Sequence, residues 1–270
     1  MSRIPFLISI PHGGVEVPEE LEDRLALTAQ DLRYYSDPCS PEIFDLSDTA
    51  EAEATTSISR LAVDLNRPPY HLPPGHPDGV VKTRTIDGKA VYREGRVPDP
   101  RLIHRMLLRH YFPYHDGIDR KIDSGRIRLG LDCHTMLPVG PPFHRDAGRE
   151  RPLICLGNNG DLVGNPLPGR LTTCPPAWLQ ALSREFNREF PRPGAVRLND
   201  PFAGGFVCIM HFWRRGIPWI QVEVNRSLYG GDSPDGIPPP GSPRLLDTRE
   251  RVRRALLGFW DRVKDSPDPG

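Results

Sequence analysis

The sequence has no long hydrophobic run and no excess of charge of either sign. The apolar run near its start, in MSRIPFLISIPHGG, stops at Pro11 and His12 and is too short for a signal-peptide core or a membrane span. The 35 basic residues balance the 35 acidic ones, which gives no electrostatic case for a nucleic-acid or anionic-membrane partner. We therefore expect neither partner, and we expect a cytoplasmic protein.

Cysteine is sparse, and several catalytic motifs are missing. The cysteines form no Cys-x-x-Cys pair and are odd in number, which is typical of reduced thiols. They are Cys39, Cys133, Cys155, Cys174 and Cys208. The sequence also lacks the Gly-x-Ser-x-Gly elbow of α/β-type serine hydrolases and the glycine-rich loop that holds nucleotide phosphates. A serine nucleophile of that type and a phosphate-loop nucleotide site are thereby disfavoured.

Proline, in contrast, is abundant, and the pattern between the prolines is that of an α/β protein. The 32 prolines and 25 glycines indicate long ordered loops. Apolar or alternating runs predict strands at residues 6–10, 57–65, 126–131, 153–156, 195–198, 206–210 and 219–224. Helical patterns lie at residues 18–27, 41–52, 100–122, 176–190 and 244–263. This alternation predicts an α/β fold with a mixed, largely parallel sheet flanked by helices on both faces.

Polar and charged side chains follow several of the predicted strands. They are His12; Asp64, Asn66 and Arg67; Asp132 and His134; and Glu223 and Asn225. Ligands of open α/β sheets bind outside the carboxyl ends of the strands, so we expect these four groups to meet at one edge of the sheet.

The two histidines in this set are candidate metal ligands. Imidazole suits zinc, and a catalytic zinc site takes three protein ligands and keeps a position for water. From the residues alone, Asp37 and Glu16 compete for the third place, and Asp37 before Pro38 could instead cap a helix. Asp132 shares a strand face with His134 and could orient its ring.

The segments VDLNRPP and WIQVEVN supply the remaining chemistry. Glu223 could act as a general base toward water, although a structural ion pair with an arginine is the alternative. Asn66 and Arg67 offer amide and guanidinium donors for a substrate carboxylate. Arg84, like Lys82, precedes the hairpin predicted at residues 85–92 and could donate to an oxyanion or carboxylate, or could simply be part of a charged hairpin rim.

Six short segments together resemble the N-formylglutamate amidohydrolase family. They are SIPHGGVEVPEEL, VDLNRPP, FPYHDGID, LDCHTM, GGFVCIMHF and QVEVNRSLY, and they occur in the family's order. The resemblance covers the chain from about Phe6 to Tyr229. The family is related to the zinc carboxypeptidases and aspartoacylases. The resemblance therefore implies a zinc-carboxypeptidase-like (phosphorylase/hydrolase-like) fold and a Zn²⁺ cofactor, with another divalent metal as an alternative.

The resemblance also implies roles for individual residues. His12 and His134 become metal ligands, Asn66 and Arg67 the substrate-carboxylate pair, and Glu223 the base and proton shuttle. His211, in MHFWRRG, matches a histidine expected to touch substrate or the oxyanion. Carboxypeptidase-type enzymes carry His-x-x-Glu, but here Val15 holds the fourth position, so the resemblance favours Asp37 as the third ligand.

We therefore predict a single amidohydrolase domain over residues 1–270, with a Pro- and Gly-rich loop and hairpin excursion at about 68–100. The predicted activity is hydrolysis of the N-formyl or small N-acyl amide of an amino acid such as N-formylglutamate, with that small molecule as the partner. Two alternatives are a hydrolase of longer N-acyl amino acids or modified peptides, and a non-catalytic protein that binds a metal or carboxylate. The sequence predicts no oligomeric state.

Overall fold

A six-stranded sheet forms the centre of the computed structural model, which describes residues 3–231 and 236–265. The strands are β1 (Ile4–Ile10), β2 (Ala50–Thr55), β3 (Leu129–Met136), β4 (Ile154–Gly157), β5 (Val196–Leu198) and β6 (Trp219–Asn225). Their order is β2-β1-β3-β6-β4-β5, and every neighbouring pair is parallel except β4 and β6. The predicted α/β class and mixed, largely parallel sheet are confirmed.

Helices cover both faces of this sheet. They are α1 (Glu19–Glu22), α2 (Ala29–Tyr35), α3 (Ser40–Ile43), α4 (Pro100–Met106), α5 (Phe112–Ile122), α6 (Pro176–Glu189), α7 (Phe206–Arg215) and α8 (Pro243–Val263). Apolar side chains of α3, α6 and α8 pack on one sheet face, around residues such as Phe6 and Val222. Residues of α5 and α7 pack on the other, around Leu7 and Trp219. Burial of these two apolar layers is the main favourable contribution to folding.

The predicted helix over residues 100–122 is continuous but contains a wider turn. A π turn at Leu107–Tyr111 joins α4 to α5, directly before Pro113. Proline has no backbone N–H and crowds the preceding turn, and an inserted π turn accommodates both effects. Asp99 caps the start of α4 by accepting a hydrogen bond from the Leu102 backbone N–H over 2.8 Å.

Residues 57–99 form a second apolar cluster beside the sheet. Leu61, Val63, Val80 and Val91 are buried there against Met106 and other residues of the α4 side. The predicted strand over residues 57–65 is wrong, because this segment makes only single bridges from Ser59 and Ile58 to the loop after β1. The predicted hairpin is reduced to one antiparallel bridge between Arg84 and Ala90 around the Asp87-Gly88 turn.

Three further elements differ from the sequence prediction. Residues 50–55, AEAEAT, form the edge strand β2 instead of the end of a predicted helix, because pairing with β1 outweighs the helix propensity of Ala and Glu. Residues 206–210 begin α7 instead of a strand, between Gly205 and a left-handed Gly216. The helix predicted over residues 18–27 is limited to α1.

No helix within residues 3–231 and 236–265 combines the length and the apolar character needed to span a membrane.

Candidate metal centre and active site

Two histidines and one aspartate meet at the carboxyl end of the sheet. His12 follows β1, His134 lies in β3, and Asp37 lies beyond α2, where its backbone N–H donates to the His12 carbonyl over 2.9 Å. One potential ligand atom from each residue lies within 4.8 Å of the others, and each side chain is nearly completely buried. The structure thus brings together the predicted ligands His12, Asp37 and His134. Glu16 is not in this group and instead accepts a hydrogen bond from Ser57.

Each histidine is oriented by a carboxylate on its far side. The Nε2 atom of His12 lies 2.7 Å from Asp64 Oδ1, and the Nε2 atom of His134 lies 3.1 Å from Asp132 Oδ2. The two Nδ1 atoms therefore face Asp37, at 3.5 Å from His12 and 2.8 Å from His134. Among the described residues, His12 Nδ1 has no hydrogen-bond partner although it is buried. A carboxylate behind each imidazole, with the other ring nitrogen directed at a shared carboxylate, is the arrangement found around bound metals.

The electrostatics of the group also favour a bound cation. Burial opposes protonation of His134, yet the negative charge and hydrogen bond of Asp132, with the hydrogen bond of Asp37, raise the pKa of His134 well above its ordinary value. Burial acts to raise the pKa of Asp37, but the contact with His12, the hydrogen bond with His134 and the positive charge of Arg60 hold it well below its usual range. Both directions show that the carboxylates and the imidazoles together favour a positive charge between them.

The donor set also favours a metal. Two imidazoles with one carboxylate are ligands that suit zinc in catalytic sites, and the carboxylates of Asp64 and Asp132 lie behind the two imidazoles. The residues present therefore fit a divalent metal.

Glu223 lies directly beside the metal group. It is the register partner of His134 across the parallel pair β3 and β6, and both side chains line the same cavity. Its Oε1 atom accepts a hydrogen bond of 2.9 Å from Gln221. Burial raises the pKa of Glu223 to about 7, although the nearby His134 acts to lower it. A carboxyl group with a pKa near neutrality can both accept and return a proton at physiological pH.

Asn66 joins three parts of the site. Its Nδ2 group donates to Asp132 Oδ2 over 2.9 Å, and its Oδ1 atom accepts from the Val207 backbone N–H in the first turn of α7 over 2.8 Å. A Cβ atom at Gly205 would lie 2.2 Å from the Asn66 amide, so glycine is required at that position. The Asn66 side chain thus fixes Asp132, and through it His134, in place.

Arg67 reaches the cavity beside Asn66. Its Nε and Nη2 atoms donate to the Asp78 carbonyl and carboxylate over 3.0 and 2.8 Å, and its Nη1 atom donates to the Asn66 carbonyl over 3.2 Å. A guanidinium group has five N–H donors, so two of them are available to a ligand. About a third of the side chain, 31%, is exposed.

The cavity over these residues has a volume of about 450 Å³ and a cationic wall. Arg60, Arg67 and Lys82 are paired with the aspartates around the metal group. Beside Arg151, which is paired with Asp146, three more arginines line it: Arg145, Arg170 and Arg226. None of these three forms an ion pair with an acidic side chain in the part of the chain that the structure describes. The cavity therefore has the volume of a small-molecule site and the charge to attract an anion.

Two predicted site residues lie away from the cavity. Arg84 is exposed and donates to the Gly88 carbonyl within its own turn, whereas Lys82, two residues earlier, lines the cavity. His211 is fully buried between α7 and α5, where its Nδ1 atom lies 2.8 Å from Asp119 and its Nε2 atom 3.0 Å from His115 Nδ1. The structure does not bring Arg84 and His211 to the cavity with the other predicted site residues, because local partners hold both side chains elsewhere.

A family model decides which proteins the chain is related to. The model described as N-formylglutamate amidohydrolase matches residues 4–230. The chain belongs to the N-formylglutamate amidohydrolase family.

Similarity to curated and solved members agrees with this assignment. Proteins named N-formylglutamate deformylase are similar to parts of the chain: one from Pseudomonas putida is 30% identical over 141 residues, and one from Pseudomonas aeruginosa is 31% identical over 171 residues. The matches cover 50% and 61% of this chain and only 52% and 63% of those relatives. The chain is also similar to a crystal structure of an N-formylglutamate amidohydrolase from Ralstonia eutropha JMP134, with 19% sequence identity and a TM-score of 0.67. The superposition covers 95% of this chain and 94% of the other. At 19% identity, this similarity supports the assignment of the fold alone.

Some residues of this amidohydrolase-family site were not predicted from the sequence. Arg60 bridges Asp37 and Asp64 at 3.4 and 3.3 Å, and Gln221 contacts Glu223. The spacing of Arg60 and Asp64, four residues apart, is the only local signal for their ion pair. The alternation of β6 placed Gln221 on the face of Glu223, but nothing in the sequence indicated their hydrogen bond.

Proposed function

We propose that this protein is a zinc-dependent amidohydrolase that hydrolyses the N-formyl, or a small N-acyl, amide of an amino acid such as N-formylglutamate. The observation that supports this proposal is the group of His12, Asp37 and His134 next to Glu223 in one cation-lined cavity. Membership of the N-formylglutamate amidohydrolase family gives the substrate class.

The three ligands hold the metal in this proposal. A bound Zn²⁺ ion, or another divalent metal, supplies a Lewis acid that polarises a carbonyl group and lowers the pKa of water. Asp64 and Asp132 keep the Nε2 atoms of the two histidines occupied, so that both Nδ1 atoms are directed at the metal position. Arg60 and Lys82 form ion pairs with Asp64 and balance its negative charge.

Glu223 is the proton carrier. As a carboxylate it accepts a proton from the attacking water, and as a carboxylic acid it donates that proton to the departing amine. Its pKa, raised by burial to about 7, suits both steps. Its register with His134 keeps it beside the metal group throughout.

Arg67 binds the carboxylate of the amino acid. Two of its N–H donors are free of protein partners, and its contacts with Asp78 hold the guanidinium plane in place. A planar pair of donors suits a carboxylate. Asn66 helps to position Arg67, because its backbone carbonyl accepts a hydrogen bond from Arg67 Nη1. The Asn66 side chain is itself held by its hydrogen bond to Asp132. Arg145, Arg170 and Arg226, which have no acidic partner among the described residues, favour a substrate with further negative charge.

The test is release of formate and glutamate from N-formyl-L-glutamate by the purified, zinc-supplied protein. Turnover that stops on chelation and returns with metal supports the proposal. A parallel series with acetyl, butyryl and octanoyl groups separates it from a hydrolase of longer N-acyl substrates. Binding of N-formyl-L-glutamate without turnover, in protein that holds its metal, would favour the non-catalytic alternative.

A further inference from the structure

Gln221 lies on the cavity wall next to the proposed base. The residue is in the middle of β6, two positions before Glu223 and on the same face of the strand. Only 5% of it is exposed, and it is one of the residues that line the cavity. Its Nε2 group donates to Glu223 Oε1 over 2.9 Å. No step of the proposed hydrolysis involves Gln221.

The contact with Glu223 fixes the direction of the Gln221 amide. As the proton acceptor of the proposed function, Glu223 is a carboxylate that can only accept hydrogen bonds, so the NH₂ group of Gln221 points toward it. Its carbonyl oxygen, Oε1, therefore points elsewhere. Within residues 3–231 and 236–265 this buried oxygen has no hydrogen-bond partner. A buried acceptor without a donor is costly, which favours a donor that arrives with a ligand.

Three neighbouring side-chain acceptors are already occupied. Asp37 Oδ2 lies 2.8 Å from His134 Nδ1, Asn66 Oδ1 accepts from Val207, and Glu223 Oε1 accepts from Gln221. The cavity lining is also rich in arginine, which offers only donors. A secondary amide has one N–H group, and that group needs an acceptor in the site. Among the described residues, Gln221 Oε1 and Thr135 Oγ1 are buried oxygens of the cavity lining without a partner, and Gln221 is the residue that contacts the base.

We propose that Gln221 Oε1 accepts a hydrogen bond from the N–H of the scissile amide, which makes Gln221 a catalytic residue that selects secondary amides. The inference rests on the proposed function. It also accounts for the second proton transfer. When the C–N bond breaks, its electron pair stays on nitrogen, and the proton on Glu223 moves to that nitrogen. Gln221 contacts both partners of this transfer and so keeps them adjacent.

The experiment compares two substrates in wild-type protein and in Gln221→Met. One substrate is N-formyl-L-glutamate, and the other is its ester analogue, with oxygen in place of the N–H group. The intrinsic difference in reactivity between ester and amide cancels when the amide-to-ester ratio of kcat/KM is compared between proteins. Both Gln221→Met and Gln221→Glu lose the donor to Glu223, so the difference in this ratio between the two variants isolates the acceptor. We expect the ratio to fall by about 10- to 100-fold in Gln221→Met, the effect of one buried hydrogen bond.

Two further variants make the test decisive. Gln30→Met removes an exposed glutamine of α2 and should leave the ratio at the wild-type value. Gln221→Glu keeps the length and the acceptor, so it should retain the amide preference to within about threefold while overall turnover falls. It also tests the inference if Gln221→Met does not fold.

The outcomes separate the two proposals. An equal loss on amide and ester in Gln221→Met, or a collapsed ratio in Gln221→Glu, would overturn the inference and leave the proposed function intact. Wild-type protein that holds its metal and hydrolyses neither substrate would overturn the proposed function and this inference with it.

Discussion

His134 and Glu223 are direct neighbours across the parallel pair β3 and β6, so a proposed metal ligand and the proposed base occupy the same level of the sheet. The next pair on the same face, Asp132 and Gln221, supports them: Asp132 contacts His134, and Gln221 contacts Glu223. Each of these two strands thus carries one proposed reactive residue and, two positions earlier on the same face, the residue that contacts it. Such register is rigid, which is what a site with fixed reacting groups requires.

Replacing the base should remove turnover and spare binding. We expect Glu223→Gln to lower kcat by about 10²- to 10⁴-fold with little change in KM, because the amide keeps the shape of the side chain but cannot accept a proton. Steady-state kinetics and metal analysis of the same preparation check this. Glu94→Gln, at an exposed position, is the matched control. A large rise in KM with intact kcat would contradict the assignment of Glu223 as the base.

The guanidinium group of Arg67 should matter mainly for substrate binding. We expect Arg67→Ala to raise KM by about 10- to 100-fold while kcat changes much less, since a carboxylate contact of equal strength in ground and transition states affects binding alone. Arg67→Lys should restore only part of the affinity, because an ammonium group cannot form the planar pair of contacts. Initial rates over a range of N-formyl-L-glutamate concentrations measure both constants. A fall in kcat with unchanged KM would be the opposite result.

The carboxylates behind the histidines should tune metal affinity. Asp64→Asn and Asp132→Asn each keep a hydrogen-bonding group at Nε2 of His12 or His134 but remove its charge. We expect each to weaken zinc binding by about 10- to 100-fold. Competition with a chromophoric chelator measures the affinity. Asp161→Asn, in an exposed loop, is the control, and affinities equal to wild type in all three variants would show that the two carboxylates do not support the metal.

Much of this site could be predicted from the sequence because its residues follow strands. His12, Asp132, His134 and Glu223 each stand in or after an apolar run whose carboxyl end faces the same edge. Their convergence follows from the parallel sheet alone. Asp37 was harder to assign, because it lies in a loop whose path depends on the backbone contact with His12.

Elements stabilised by long-range contacts were less predictable. The segment AEAEAT has strong helix formers but pairs with β1, and FVCIM is apolar on every side, so its length does not distinguish strand from helix. The positions of His211 and Arg84 depend on the pairing of α7 with α5 and on a tight turn. Such tertiary arrangements have no periodic signal in the sequence.

The buried histidine pair behind the site should make stability depend on pH. Burial and the neighbouring His211 lower the pKa of His115 to about 3 from an ordinary 6.5. The unfolded chain therefore binds a proton that the folded chain does not, so this contribution to stability is complete above about pH 6.5 and declines as pH falls toward 3. Urea unfolding at pH 7.5 and 5.5 measures the decline.

A variant isolates the contribution of His115 from that of other groups. His115→Asn should lose less stability between pH 7.5 and 5.5 than wild type, because it has no imidazole to protonate. His104→Asn, on the exposed side of α4, should show the wild-type decline. A variant His115→Asn with an undiminished decline would show that other groups cause the pH dependence.

The metal content of the purified protein tests the central claim most directly. Wild type and His134→Ala, expressed side by side and dialysed against the same zinc-supplied buffer, are analysed by inductively coupled plasma mass spectrometry, with His104→Ala as a control for loss of a histidine. The account predicts close to one zinc per chain in wild type and His104→Ala, and almost none in His134→Ala. Wild-type protein that folds normally and retains no divalent metal would contradict it.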